Sequence, residues 1–428
     1  MPLRTISAVF FRHERRLASF VDQSMFSLAS FILTLVLIRA YPKDEFAAYG
    51  IGLFAALVLA GVYRVSFAIP VALWLPREFR LRRKAIPALH FIVIASVLLS
   101  LAVITLTLGL LHATELAIRV TASLAAAASV YLSLDIDRVL LFRARTPREA
   151  LSISTLYSSA IMFSGVCFFL FHPPFIWAMG ALTMLGLVKT VFVGTLSGYP
   201  DWSHGSRLMK RLLRTAVGWN TVGSLACSSF LIVPQWILGL FTTPSQVAGF
   251  TAVRTPMQPL MVIIRSMDII DKITSGSLND GDPRLLRKHY WRAYLIYLAM
   301  CVTFCVAISF SADAIVEALL TAQYEEFAWT LRWTAFLLVL TATSAPLETI
   351  VYQQRSYRSY AISQIMGGCI GAVCALPLSL HLGASGAVIA SILGWIVPYG
   401  FLLQRLVRTT SAIAQFRESG AEIPLKSR

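Results

Sequence analysis

Acidic residues are scarce: 21 Asp and Glu stand against 37 Lys and Arg, and charged residues of both signs make up only 14% of 428 positions. An ordinary soluble chain carries roughly 25%. With 57% of its residues hydrophobic, this one has too little charge to wet the surface of a water-soluble fold. Catalytic signatures are missing as well. No G-x-x-x-x-G-K-[ST] phosphate loop occurs, which excludes nucleotide hydrolysis by that route, and no G-x-S-x-G elbow presents a nucleophilic serine. There is no H-E-x-x-H and no histidine with a partner at ligand spacing, so neither a metal nor another cofactor is expected. Cys167, Cys227, Cys301, Cys305, Cys369 and Cys374 all fall inside apolar stretches, where a free thiol behaves as a small hydrophobe and no disulfide is expected. His90, His112, His172 and His381 stand at the ends of apolar runs, an interfacial placement.

What is present is a succession of apolar runs long enough to cross a hydrocarbon core of about 30 Å. They predict an all-α polytopic integral membrane protein of about twelve spans, at 18–39, 46–76, 86–111, 116–137, 149–171, 174–197, 215–241, 245–271, 291–312, 327–349, 359–380 and 383–405. The first follows Arg12, Arg15 and Arg16 without a small-residue cleavage site, so it reads as a span and not as a removed signal. The second and eighth contain Pro70, and Pro256 with Pro259, and are expected to bend.

The net charge of +16 would point to nucleic acid in a soluble protein, but here the basic residues sit in loops between spans. On one side of the alternating connections fall 29 Lys and Arg, while the other side has only Arg39 and Lys43. Lys and Arg are retained in the cytoplasm, so both termini are expected there. The outer connections are short, the longest being roughly 313–326, and host no separate domain.

The halves repeat. Glu45-Phe46-Ala47-Ala48-Tyr49 after span one matches Gln246-Val247-Ala248-Gly249-Phe250 after span seven, an offset of 201 that also carries Arg64 onto Arg265. Arg145-Thr-Pro-Arg148 similarly pairs with Arg355-Ser-Tyr-Arg358. An even number of spans per half makes the halves parallel about an axis along the membrane normal, enclosing a central cavity. The expected divisions are a cytoplasmic N-terminus (1–17), a six-helix bundle (18–200), a basic cytoplasmic linker (201–214), a second six-helix bundle (215–407) and a cytoplasmic tail (408–428).

Six basic residues lie within spans: Arg64, Arg119, Lys189, Arg254, Arg265 and Arg332. Each charge near mid-membrane costs about 2.5–3.5 kcal/mol, so it must face a wet cavity, pair with an acid or snorkel to an interface. Arg119 and Arg332, close to span ends, suit snorkelling. Arg64, Arg254 and Arg265 are deeper, on the two proline-bearing repeat mates; they are open to an internal salt bridge or an interface placement, and in a solvated cavity they suit an anionic ligand, because a guanidinium fork bonds phosphate oxygens in pairs. Asp22 opens span one beside Gln23 and Ser24, as Asn220 and Thr221 open span seven. Asp268 and Asp271, three apart on one face below Arg265, could pair with it or hold a coupling cation; Asp22 could form a salt bridge at the cytoplasmic end or take part in ion coupling.

The run Ser27 to Tyr49, with Arg39, Pro42, Glu45 and Phe46, resembles the opening of the O-antigen flippase (Wzx-type) branch of the multidrug/oligosaccharidyl-lipid/polysaccharide (MOP) superfamily of polysaccharide exporters. Thr243-Pro244-Ser-Gln246-Val-Ala-Gly-Phe250 is similar to that family's seventh-span exit, although a tyrosine replaces the usual glycine before Pro42. The resemblance implies two six-helix bundles forming a MATE-like V around a cationic lumen. It implies a flippase of the bacterial inner membrane that moves a polyprenyl-pyrophosphate-linked oligosaccharide, a lipopolysaccharide O-antigen or exopolysaccharide precursor, from the cytoplasmic to the periplasmic leaflet. The positions that fit the family's basic lumen are Arg64, Arg254 and Arg265, and a polysaccharide polymerase or chain-length regulator is a possible partner. Two other readings stay open at this stage: a cation-coupled multidrug exporter of the same superfamily, which would favour a carboxylate-lined cavity, and a membrane-embedded glycan-processing enzyme, which would need a catalytic histidine or a large outer loop.

Overall fold

The computed structural model describes residues 2–63, 114–132, 147–196, 219–264, 283–353 and 357–418, with the single positions 91, 202, 203, 207, 267, 268 and 271. Among the described residues the chain is helical throughout and has no strand. The helices are α1 (Pro2–Ala40), α2 (Lys43–Tyr63), α3 (Glu115–Tyr131), α4 (Pro147–Phe171), α5 (Phe175–Leu196), α6 (Trp219–Phe241), α7 (Pro244–Ala252), α8 (Pro283–Ile315), α9 (Ala328–Gln353) and α10 (Tyr357–Glu418). Between α8 and α9 the chain makes a π-helical turn, Val316–Leu320, and a 3-10 turn, Ala322–Phe327. Eight described helical stretches are long and apolar enough to cross a membrane. The expected span 86–111 apart from 91, the Pro70 end of span two, and the linker apart from 202, 203 and 207 lie outside the described residues.

One of the eight, Arg358–Arg408, holds 51 residues. A straight helix of that length would run about 77 Å, more than twice a hydrocarbon core. It turns back at Gly383, whose φ of +56° and ψ of −133° a side chain would not tolerate. The two arms are therefore the eleventh and twelfth spans. They lie close because Gly367 faces the Gly394 carbonyl, where a Cβ would clash.

Large apolar side chains point outward, among them Phe310 at 87%, Leu240 at 77% and Trp177 at 75% exposure. In water such a belt would drive aggregation, whereas lipid tails accept it at no cost. Inside, one continuous apolar core runs from Phe26 on α1 to Trp395 on α10. In the first half α4 packs on α1, and α3 packs on α2 and α5; in the second, α6 and α9 pack on α10, and α8 on α9. The two groups meet where α2 lies against α6 and α7.

Alternate connections gather at one end of the molecule. The Tyr41 phenol donates to the Pro173 carbonyl (3.0 Å) in the α4–α5 turn, and its ring meets Phe175 edge to face. Burial, reinforced by the Glu45 carboxylate, pushes that phenol up to about 12 and keeps it a donor. Gln246 at the start of α7 accepts a bond from the Ala384 N–H (2.7 Å) and so fastens the turn at Gly383. The connections after spans one, five, seven, nine and eleven thus share the end that bears Arg39 and Lys43, as alternating spans require. His172, in the same layer, adopts φ of +44° ahead of Pro173 and Pro174.

Candidate functional site

The eighth span is broken at its middle. Pro256 has no N–H to give the Ala252 carbonyl, so the α-helical ladder cannot continue. The backbone tightens instead: Val253 N–H donates to Gly249 (3.0 Å), Arg254 N–H to Thr251 (3.3 Å) and Met257 N–H to Arg254 (3.1 Å). A single 3-10 turn, Thr255–Met257, follows before helix resumes over 258–264. Arg254 stands at the break.

Its guanidinium reaches the contact between the two groups of helices. The guanidinium carbon lies 4.5 Å from the centroid of Phe54 on α2 and 5.7 Å from that of Phe250 on α7. The two rings are 6.2 Å apart. A desolvated cation over an aromatic face gains about 2 kcal/mol, which offsets much of the 2.5–3.5 kcal/mol cost of a charge at mid-membrane. It does not satisfy the hydrogen-bonding demand: Nη1 of Arg254 is buried without a partner among the described residues.

One turn back, Thr251 touches Gly50 of α2 so closely that a Cβ on Gly50 would clash with its hydroxyl. These positions are repeat mates, 201 apart in number. The pseudo-two-fold axis expected from the repeat therefore passes close to this pair. Gln235, fully buried beside Pro234 in α6, donates through Nε2 to the Thr251 hydroxyl (3.3 Å), and its Oε1 has no described partner. Pro234 frees the Phe230 carbonyl, which accepts a bond from Ser391 on α10 (2.7 Å). Phe54, Gln235 and Thr251 carry no charge and were not singled out from sequence. The signals that could have found them are the repeat register at Thr251 and a glutamine beside an intramembrane proline.

Toward the Lys43 end the contact closes. Lys43 Nζ is 3.2 Å from the Ser245 hydroxyl and 3.4 Å from Glu326, and stands over the Tyr324 ring at 5.4 Å. Arg39 donates to the Ala318 carbonyl (2.7 Å), and Gln323 donates to the Ile38 carbonyl (3.3 Å). Tyr324 meets Phe46 edge to face. Thr321, whose φ of +82° is unusual for a β-branched residue, forms the corner of that turn.

The other expected positions separate. Arg64 and Arg265 lie outside the described residues. Asp22 is buried and accepts a hydrogen bond from Ser154 on α4. Lys189 is buried in the same bundle, its ammonium 4.9 Å from the centroid of Tyr157, which stacks on Phe26 one turn from Asp22. Asp271 lies 3.9 Å from His289 of α8 and, like Asp268, faces Tyr297. Arg119 and Arg332, at span ends, pair with acids: Arg119 with Glu115 and with Glu45 (3.5 Å), Arg332 with Asp313 (2.7 Å).

Comparison with solved structures identifies the architecture. An inward-facing multidrug resistance MATE family transporter of the MOP superfamily superposes with a TM-score of 0.65 at 16% identity, covering 93% of this chain and 96% of that one. The lipid II flippase MurJ, in an inward closed conformation, superposes with a TM-score of 0.67 at 11% identity over 97% and 94%. The chain has the MOP transporter fold. A MOP superfamily transporter from Pyrococcus furiosus, described by the reverse polarity of its binding pocket, is similar as well, at 13% identity and a TM-score of 0.59 over 93% and 95%. No family profile and no curated protein matches the sequence. At these identities the likeness concerns the fold alone.

Proposed function

We propose that the chain is a flippase that moves a polyprenyl-pyrophosphate-linked oligosaccharide, a precursor of surface polysaccharide, from the cytoplasmic to the outer leaflet of a bacterial inner membrane by alternating access. The observation that carries this reading is Arg254, an intramembrane guanidinium at the contact between halves whose Nη1 has no described partner. An anionic headgroup supplies the missing acceptors, and a pyrophosphate offers several in the geometry a guanidinium favours. Arg64 and Arg265, repeat mates at an offset of 201, are assigned to the same headgroup. The 29-to-2 bias of basic residues supports both termini in the cytoplasm, which makes the joined Lys43 end the outer one. The halves are then closed to the outside, the state in which cargo loads from within. A negative interior favours outward movement of each negative charge by about 2.3 kcal/mol per 100 mV. Likeness to a lipid II flippase lends the cargo class further support, since that protein also handles a lipid-linked substrate.

The decisive experiment is deletion of the chain followed by leaflet-resolved assay of lipid-linked oligosaccharide. It should accumulate in the cytoplasmic leaflet, and complementation with Arg254→Ala should fail at wild-type protein levels in the membrane. An unchanged leaflet distribution on deletion sinks the proposal. Resistance to cationic dyes on expression would replace it with a drug exporter.

A further inference from the structure

The first helix is longer than a membrane needs. Its apolar span is Phe20–Ala40, and Ala18 is already buried in the bundle, yet the helix begins at Pro2. At 1.5 Å per residue, the stretch from Pro2 to Leu17 adds about 24 Å of helix ahead of the span. The helical repeat sorts its residues into two rows. Leu3, Ile6, Phe10 and Leu17 recur at the three- and four-residue spacing of one face, with His13 in the same row. Arg4, Ala8, Arg12 and Arg15 form a second row, with Arg16 beside it, while Phe11 and Glu14 fall between the two. Glu14 is the one acid in this stretch, against four arginines.

We infer that the stretch from Pro2 to Leu17 is a membrane-surface arm that binds anionic phospholipid headgroups of the cytoplasmic leaflet through its arginine row and sinks its Leu, Ile and Phe row into the boundary between headgroups and acyl chains. A helix with one cationic row and one such apolar row lies in the plane of an interface, and a basic segment directly beside a span is drawn to anionic lipid. The tether favours this occupant over any other. Arg16 and Arg15 stand four and five residues before Phe20, about 6–8 Å of helix. They are within a Debye length, about 8 Å at physiological ionic strength, of the surface the span enters. Arg4 is about 24 Å out along the helix and meets that surface only when the arm lies down, which requires α1 to bend between Leu17 and Phe20. Each arginine that reaches an anionic leaflet raises the occupancy of the docked arm about fivefold. An acidic protein would satisfy the same arginines, but it would have to displace lipid that the span already holds beside them. Docking fixes one end of the helix whose other end meets the second half, where Arg39 bonds the Ala318 carbonyl and Gln323 bonds that of Ile38. Leaflet composition thereby acts on a helix of the contact between halves.

The inference rests on the proposed function only for the cytoplasmic placement of the N-terminus, and its test needs no cargo. In a full chain whose native cysteines are replaced, Phe10→Cys and Ala8→Cys each carry a spin label, one on either row. In nanodiscs of phosphatidylcholine with phosphatidylglycerol, oxygen should reach the label at position 10 severalfold better than a water-soluble nickel chelate does, and the label at position 8 should show the reverse. In phosphatidylcholine alone the chelate should reach both. Changing Arg4, Arg12, Arg15 and Arg16 together to glutamine should abolish the difference between the two lipids, whereas changing all four to lysine should keep it. The basic residues of the other connections still orient either variant. Chelate access to both positions in both lipids overturns the docking, and so does shielding of both from either reagent, which would mean that protein covers the arm. Equal lipid burial with and without phosphatidylglycerol overturns the headgroup assignment. Each of these failures leaves intact the leaflet assay by which the flippase reading stands or falls.

Discussion

At the scale of single residues, Arg254 and Gly50 matter for opposite reasons: one has a donor with no partner among the described residues, the other has no room for a single methyl group. Arg254→Lys keeps the charge but replaces a planar fork with a point donor. If the guanidinium bonds a phosphate in pairs, losing one charged hydrogen bond of about 1.5–3 kcal/mol should slow export about tenfold or more. The rate of appearance of lipid-linked glycan in the outer leaflet, at matched protein level, measures it; full activity in the lysine variant would mean that only charge matters there. Gly50→Ala should wedge α2 from Thr251 at a cost of about 1–3 kcal/mol to the closed contact, favouring the state open at the Lys43 end. Labelling of a cysteine at position 54 by an impermeant maleimide added from outside should then rise. The depth of Arg254 could be read from hydropathy, because a charge in a 27-residue apolar run stands out. Its partner Phe54 could not. No local pattern relates a phenylalanine on α2 to an arginine 200 positions later, since the contact exists only once two bundles meet.

At the scale of elements, the proline and glycine positions govern where helices break. Pro256 was enough to expect a bend in span eight, and the single 3-10 turn at Thr255–Met257 is the form it takes. Gly383 is different: hydropathy separates spans eleven and twelve by only a few residues, yet the turn depends on a backbone conformation open almost solely to glycine and on Gln246 reaching across from α7. Gly383→Ala should cost about 1–3 kcal/mol in backbone strain, beyond the clash of its Cβ with the Gln246 side chain. A lower midpoint in thermal unfolding of the detergent-solubilised chain tests this. Gln246→Ala, which removes the clash along with the bond, should recover part of the loss in the double variant. The ion pairs of Arg119 and Arg332 were harder to foresee. Glu45 and Arg119 belong to helices whose intervening chain is dozens of residues long, so only the packing of α2 on α3 brings them together.

At the scale of the whole molecule, the alternating access proposed for this chain requires that the contact at the Lys43 end form and release with little net change in free energy. Its composition suits that demand. Lys43 and Glu326 are 24% and 55% exposed, and a pair so open to solvent contributes about 0–1 kcal/mol. The accompanying bonds from Arg39 and Gln323 go to backbone carbonyls that water can equally well satisfy. A covalent link should therefore change the outcome where the native pair does not. With Lys43→Cys and Glu326→Cys in one chain whose native cysteines are replaced, oxidation should trap the halves together and abolish export, and a reductant should restore it. Neither single cysteine should respond to oxidant, and charge reversal of the pair, Lys43→Glu with Glu326→Lys, should leave export close to wild type. Export that continues through quantitative cross-linking would mean that the Lys43 end does not open during the cycle, and cargo would have to leave between helices by a path that bypasses the contact.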